Sequence, residues 1–360
     1  MRLVVLLALA LTPVRARAQW DLQQSPTTAS LRSVHAVSEM IAWASGANGT
    51  VLRTTDGGLN WQSCIIPKGA EKLDLVGVQG SDENTAIAIS TGKGSLSRVY
   101  KTADGCQTWK LVFTNPDPSG FFKSVRRMTD KQLYLLGDPV EGKFAIFYSA
   151  DSGDTWNGTD DPGLDSEKGE LTFSAGNGTL VSVGPFLFFG TRGSSALHLY
   201  HTYPQCELGA QKAGGCPIAW AKADVPLASA NIGTAEFSLA ARTQLNMANG
   251  SVQTVLVAVG SSSPGSSATS RDDGKSWKAA AVPPASGLVA IAYHSSARSW
   301  IAVGPEGTDV STDDGLTWRA IPSTPAEEKT ARPSWSALSL PFVVGDGAKI
   351  GKLDPKAFKH

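Results

Sequence analysis

Five copies of one eight-residue pattern, Ser/Thr-x-Asp-x-Gly-x-x-Trp, constrain this chain more than any other feature. They occupy residues 54–61, 102–109, 149–156, 270–277 and 311–318, and only the second departs from the pattern, with Cys106 in place of the glycine. Recurrence at roughly 40–50 residues marks units that cannot bury an apolar face alone and stack to do so. The pattern has the chemistry of a hairpin turn. Its Asp carboxylate accepts backbone N–H bonds within the turn, its hydroxyl residue adds a second local bond, and its Gly tolerates φ > 0. Asp56, Asp104, Asp151, Asp272 and Asp313 are therefore read as self-satisfied turn residues, not as catalytic acids or metal ligands.

A β-patterned segment and a Gly-rich turn precede each copy. Residues 41–45 are followed by a turn over 46–49 and a second segment over 50–53; the same layout recurs at 132–136 with 137–142, and at 300–303 with 304–307. Each unit thus predicts a four-stranded meander, with strands B and C joined by the Gly-rich turn and C and D by the repeated motif, which is a propeller blade. Trp61, Trp109, Trp156, Trp277 and Trp318 leave one long gap that Trp220 divides, giving six blades. Residues 342–350 supply strands B and C of a seventh. Its missing outer strand is expected from the start of the mature chain, because Trp20 precedes Trp61 by 41 residues, as Trp277 precedes Trp318. The expected fold is all-β: a seven-bladed β-propeller of four-stranded antiparallel blades, with the ring closed by the N-terminal strand.

Residues 1–18 read as a signal peptide, with Arg2 as a positive start, an apolar run over 3–11, and Ala16-Arg17-Ala18 as an A-x-A cleavage site. Residues 19–360 then form a single propeller domain that is periplasmic or extracellular. The apolar run is too short to span a bilayer, and no later stretch approaches about 20 apolar residues, so no membrane insertion is expected. Cleavage removes three of the 32 basic residues, Arg2, Arg15 and Arg17, and none of the 32 acidic ones, leaving a net charge of −3. That balance offers no electrostatic reason to bind nucleic acid.

The fourth blade lacks the motif and carries instead an insertion with Cys206 and Cys216. In an exported protein an even cysteine count favours disulfides, and Cys206–Cys216 would close this loop. Cys64 and Cys106 remain, a pair able to staple the first two blades. A zinc site built from the four cysteines lacks support in their spacing, which contains no CxxC.

The five motifs resemble the Asp boxes of the BNR-repeat group, and seven blades in a short chain look most like photosystem II stability/assembly factor-like proteins. Residues 136–142 and 303–312 look like the bacterial branch of that family rather than its photosynthetic members. The resemblance implies a non-catalytic binding or assembly scaffold. Photosynthetic members use a basic patch; here Arg126-Arg127 on an inner strand reads equally as such a contact or as a charge-paired structural element, so the photosystem role is not carried over. Sialidases share the boxes, but their Arg-Ile-Pro motif is absent, the nearest string being Ala331-Arg332-Pro333.

In a meander the A–B and C–D turns share one rim and the B–C and D–A turns the other. The long connections lie on the second rim, which makes it the expected ligand face. It is rich in acids, and Asp138, Glu141, Glu170 and Arg192, flanking the turns of blades three and four, are the candidate ligand-binding residues. A protein or glycan partner is expected there, with the protein a monomer and without cofactor or metal. The alternative reading is a glycoside hydrolase or lyase acting on a neutral polysaccharide through paired carboxylates. His198 and His201, three apart on a strand, point to opposite faces, which argues against a shared metal. Asn48, Asn157, Asn177 and Asn249 open Asn-Gly-Ser/Thr sequons, read here as hairpin turns.

Overall fold

The computed structural model describes residues 19–173, 176, 178–193, 196–204, 218–228, 237–245, 250–321 and 334–354. They form seven antiparallel sheets in a ring, a β-propeller. Helix is limited, among the described residues, to the short turns Gly94–Leu96 and Asp346–Ala348, and no helix is long and apolar enough to cross a membrane. Blade one is built from Leu31–Ala36, Ala42–Gly46, Val51–Thr54 and Gln62–Ser63, counted from the channel outward. In blade seven Trp335–Ser339, Phe342–Gly345 and Ile350–Leu353 are completed by Trp20–Gln23, with Trp20 opposite Leu353, so the N-terminal strand closes the ring as expected.

Both faces of each blade meet a neighbour, and the buried apolar residues fall into seven clusters, one at each seam. This is why a strand such as Val252–Gly260 is buried at consecutive positions from Thr254 onward instead of alternating. The tryptophans pack backward onto the preceding blade. Trp61 meets the Phe342 ring of blade seven edge-on at 5.6 Å, and Trp20 donates its indole N–H to Thr308 of blade six at 2.9 Å.

The motif turns close on themselves. In the sixth blade Ser311 Oγ donates to Asp313 Oδ1 (2.8 Å), which accepts the backbone N–H of Thr317 (2.9 Å), and Gly315 N–H donates to Ser311 Oγ (2.9 Å). Asp313 Oδ2 accepts the Thr317 hydroxyl at 2.7 Å. The other four copies repeat this scheme, with Asn60 replacing the second hydroxyl in the first. Hydrogen bonds from Thr108 and Thr155 hold the carboxyls of Asp104 and Asp151 down at about 2.

The glycine of the motif serves the seam as well as the turn. Gly58, Gly153, Gly274 and Gly315 all have φ between 79° and 89°. A Cβ there would stand 2.6–2.9 Å from a side chain of the preceding blade: Gln23 and Phe342, Ile87, Leu199 and Val257 respectively. In blade two the same position is Cys106, held at φ 64°. Its side chain enters blade one, where it forms a disulfide with Cys64 across a Cα–Cα distance of 5.2 Å. The second expected disulfide, Cys206–Cys216, falls outside the described residues, as do Asn177 and Asn249.

Three details differ from the sequence expectation. Residues 137–142 are not all turn: strand Leu133–Val140 continues past a register shift between Leu136 and Pro139, and only Glu141 and Gly142, at φ 51° and 84°, make the turn to Lys143–Ser149. A Cβ on Gly137 would lie 2.8 Å from Phe121 O, so this bulge needs glycine. Asn157-Gly158 is not a turn but the outermost strand of blade three, paired with Phe147 and Tyr148; Asn48-Gly49, at φ 56° and 67°, is the expected turn. Blade four has five strands, because its inner edge is divided into Leu171–Thr172 and Leu180–Val183, both paired with Phe186–Arg192.

Candidate functional site

The bulge in blade three leaves Asp138 facing blade four. Its Oδ1 accepts the backbone N–H (3.2 Å) and the hydroxyl (2.6 Å) of Thr172, while Oδ2 pairs with Lys123 Nζ at 3.0 Å. Thr172 lies opposite Thr191 in the ladder of blade four, and the Thr191 hydroxyl donates to Glu170 Oε1 at 2.5 Å. Two of the four candidate residues, Asp138 and Glu170, are thus joined through a pair of facing threonines. Arg192, the residue after Thr191, sits half-buried at the strand end opposite Leu171 and Leu197. Glu141 stands exposed on its two-residue turn and takes no part in the cluster.

Glu170 is saturated. Besides Thr191, its Oε1 meets His198 Nδ1 at 2.8 Å, and its Oε2 accepts the backbone N–H of Glu167 (2.8 Å) and the Tyr200 hydroxyl (3.1 Å). Burial pushes this carboxyl upward, but the bonds from His198, Thr191 and Glu167 outweigh it and hold the group at about 2. Tyr200 is driven well above its ordinary range by burial and by the Glu170 charge. His198 and His201 do lie on opposite faces of strand Leu197–Pro204, as expected: His201 stacks on Phe188 while His198 faces Glu170. What sequence spacing does not reveal is that Glu167, from the loop between blades three and four, joins Glu170 and His198 in a metal-capable group whose donor atoms lie within 4.8 Å of one another.

The second concentration of polar chemistry is the central channel, a cavity of about 550 Å³ walled partly by Phe173, Phe237, Leu239 and Ile291. Near the end of the inner strand of blade three, Arg126 turns into it and donates from Nε to Ser182 Oγ at 3.0 Å. Among the described residues no carboxylate pairs with Arg126. His35 lines the same end. Burial, then the charges of Arg126 and Arg127, drive its pKa down to about 3, and its Nδ1 accepts the N–H of Gly80 at 3.1 Å, so the ring is neutral. Arg127 donates to Asp130 O at 2.9 Å and buries Nε and Nη2 without hydrogen-bond partners among the described residues. At the opposite end Arg32 pairs with Asp346 at 3.2 Å. The cationic end of the channel opens toward the rim of the motif turns, whereas sequence spacing points to the other rim. The Arg126-Arg127 doublet was the available signal. Arg126 is not charge-paired among the described residues, whereas Arg127 feels the charges of Asp130 and Asp82.

The strand order defines the chain as a closed seven-bladed propeller. The family profile described as photosynthesis system II assembly factor YCF48 matches residues 12–284, and the chain belongs to that family. Among solved structures, YCF48 bound to D1 peptide superposes with a TM-score of 0.60 at 16% identity, covering 94% of this chain and 98% of that one. YCF48 from Cyanidioschyzon merolae gives 0.59 at 14% identity, covering 93% and 99%. The WD40 propeller domain of Doa1 gives 0.50 at 9% identity, covering 96% and 100%. At these identities the likeness is one of fold. No curated protein sequence matches the chain significantly.

Proposed function

We propose that this protein is an exported, non-catalytic assembly scaffold that holds a segment of a protein partner in its channel. The observation that carries the reading is Arg126, a half-buried guanidinium facing a cavity of mixed polar and apolar lining with a serine hydroxyl as its hydrogen-bond partner. A partly desolvated cation with no opposite charge beside it carries a cost, and a carboxylate on an inserted peptide would offset it. Family membership supports a scaffold role, and the solved relative bound to a D1 peptide supports a peptide as occupant; the D1 identity is not transferred. Export is supported by two features. The ring-closing strand starts at Trp20, just past the expected cleavage point, so cleavage leaves it intact, and Cys64–Cys106 is a bond that persists in oxidising compartments.

The carboxylates of Asp138 and Glu170 are engaged by Thr172, Lys123, Thr191 and His198, which does not support using this pair for the glycoside hydrolase alternative. The test is a library of fluorescent peptides with free or amidated C-termini, titrated against the mature protein and Arg126→Met. Peptides with carboxylates should bind, and Arg126→Met should weaken them about tenfold or more, as expected for a lost charge-assisted bond of roughly 1.5–3 kcal/mol. Binding indifferent to Arg126→Met would remove the reading.

A further inference from the structure

On the outer half of blade four one histidine nitrogen is aimed at two acids and bonded to neither. His198 stands directly opposite Asp224 in the ladder between Leu197–Pro204 and Ile218–Asp224. Its side chain is only 4% exposed. Nδ1 is committed to Glu170, which leaves Nε2 facing outward, 3.5 Å from Asp224 Oδ1 and 3.8 Å from Glu167 Oε1. Nε2 makes no hydrogen bond among the described residues. Gly193 keeps the space beside the ring open: a Cβ there would come within 2.7 Å of His198 Cε1 and 3.1 Å of Glu167 Oε2.

We propose that His198 Nε2, Glu167 and Asp224 form a binding site for a divalent transition-metal ion of the zinc class, with Glu170 as the carboxylate that orients the histidine. Four-coordinate zinc with bonds of about 2.0–2.1 Å places neighbouring donor atoms about 3.3 Å apart. The distances from Nε2, 3.5 and 3.8 Å, are a few tenths of an ångström longer; Asp224, on a side chain 82% exposed, lies outside the group whose donors already converge and rotates inward to complete the set. A metal-ligating histidine characteristically gives its other ring N–H to a carboxylate, which fixes the tautomer and raises ligand basicity; Glu170, itself locked by Thr191, Tyr200 and the Glu167 N–H, is that carboxylate. One imidazole with two carboxylates suits zinc or cobalt better than magnesium or calcium, which prefer all-oxygen sites. Water would complete the coordination.

A competing cation is already in place. Lys222 Nζ lies 2.6 Å from Glu167 Oε1, on a side chain 35% exposed that can swing out to solvent. Metal binding therefore exchanges the ammonium for the ion at Glu167. Bound metal would pin the loop carrying Glu167 to the two outer strands of the blade.

The test uses the full mature protein after chelator treatment, titrated with Zn2+ and with Co2+ by equilibrium dialysis and by Co2+ absorption. Wild type is expected to bind one equivalent of each. Glu167→Gln and Asp224→Asn, both at exposed positions that leave the Glu170 network intact, should each weaken binding about 10–100-fold. Lys222→Met should tighten it several-fold, a gain that an unrelated surface site would not show. Zn2+ should raise the melting temperature of wild type and not that of the Glu167→Gln/Asp224→Asn variant. Absence of stoichiometric binding, or binding undiminished in that double variant, would overturn the proposal. Neither result bears on peptide binding at Arg126.

Discussion

At the seam between blades one and two a covalent bond stands where the other Asp boxes place a glycine. At the seam between blades three and four there is no box; Asp138 crosses to Thr172 beside an apolar cluster, and Glu170 ties the connecting loop to blade four. Boxed seams share one device: a turn satisfied by its own hydrogen bonds, whose glycine lets the preceding blade approach to contact distance. Cys106 preserves the direction of that contact and converts it from van der Waals to covalent. Blade four, lacking the turn, receives Asp138 of blade three at Thr172, while Glu170 holds its entering loop to Thr191, His198 and Tyr200 of the same blade. A box is therefore a local solution that can be repeated, whereas the polar bonds beside the third seam join residues far apart in sequence.

The sharpest way to break this contrast is Glu170→Ala, which would leave four donors buried around a missing acceptor. Loss of about 3–5 kcal/mol is expected in urea unfolding, with Glu170→Gln milder. Because the folded-state carboxyl is depressed to about 2, its contribution is fully present above its ordinary range near 4.5 and disappears as pH falls from there toward 2. That linkage amounts to roughly 3 kcal/mol. Acid titration of stability should therefore be steeper in wild type than in Glu170→Gln over this window. Equal slopes would show that Glu170 does not fasten the loop to blade four.

Next in size is the covalent seam. Cys64→Ala/Cys106→Ala should lose roughly 3–4 kcal/mol, the chain-entropy value for a loop of this length. Cys64→Ala/Cys106→Gly should recover about 1 kcal/mol of that, because glycine takes the left-handed conformation without the Cβ penalty. Identical midpoints for the two variants would mean that the box position in blade two is not strained. The smallest effect belongs to the boxes themselves. Asp313→Asn removes the acceptor for the Thr317 hydroxyl, and chemical denaturation should register a loss of roughly 0.5–1 kcal/mol. A larger loss would show that box turns hold blades together by more than their own geometry.

The fold was legible because its signals are local. The box hydrogen bonds join residues at most four apart, and the tryptophan spacing counts the blades, including the one closed by Trp20. Where the reading slipped, the deciding contact was distant. The continuation of strand Leu133–Val140 through Gly137 depends on the backbone of Phe121, and Asn157-Gly158 pairs with a strand because Tyr148 and Phe147 offer an open edge. The candidate residues were placed on the correct blades, yet the fastening role of Asp138 and Glu170 was invisible, since Thr172, Thr191 and His198 are 21 to 34 residues away from the carboxylates they bond.

The repeated motif, met first as the mark of the fold, specifies a turn, a blade and a ring from short-range chemistry alone, and Cys106 within it already breaks the pattern. Tertiary structure decided the rest: that the box glycine faces the preceding blade, that a cysteine there finds Cys64, that Arg126 enters a channel, and that His198 meets three acids. Those outcomes depend on how curved sheets bring remote side chains to one seam or one axis. Packing geometry of that kind is a property of the closed ring and of no single repeat.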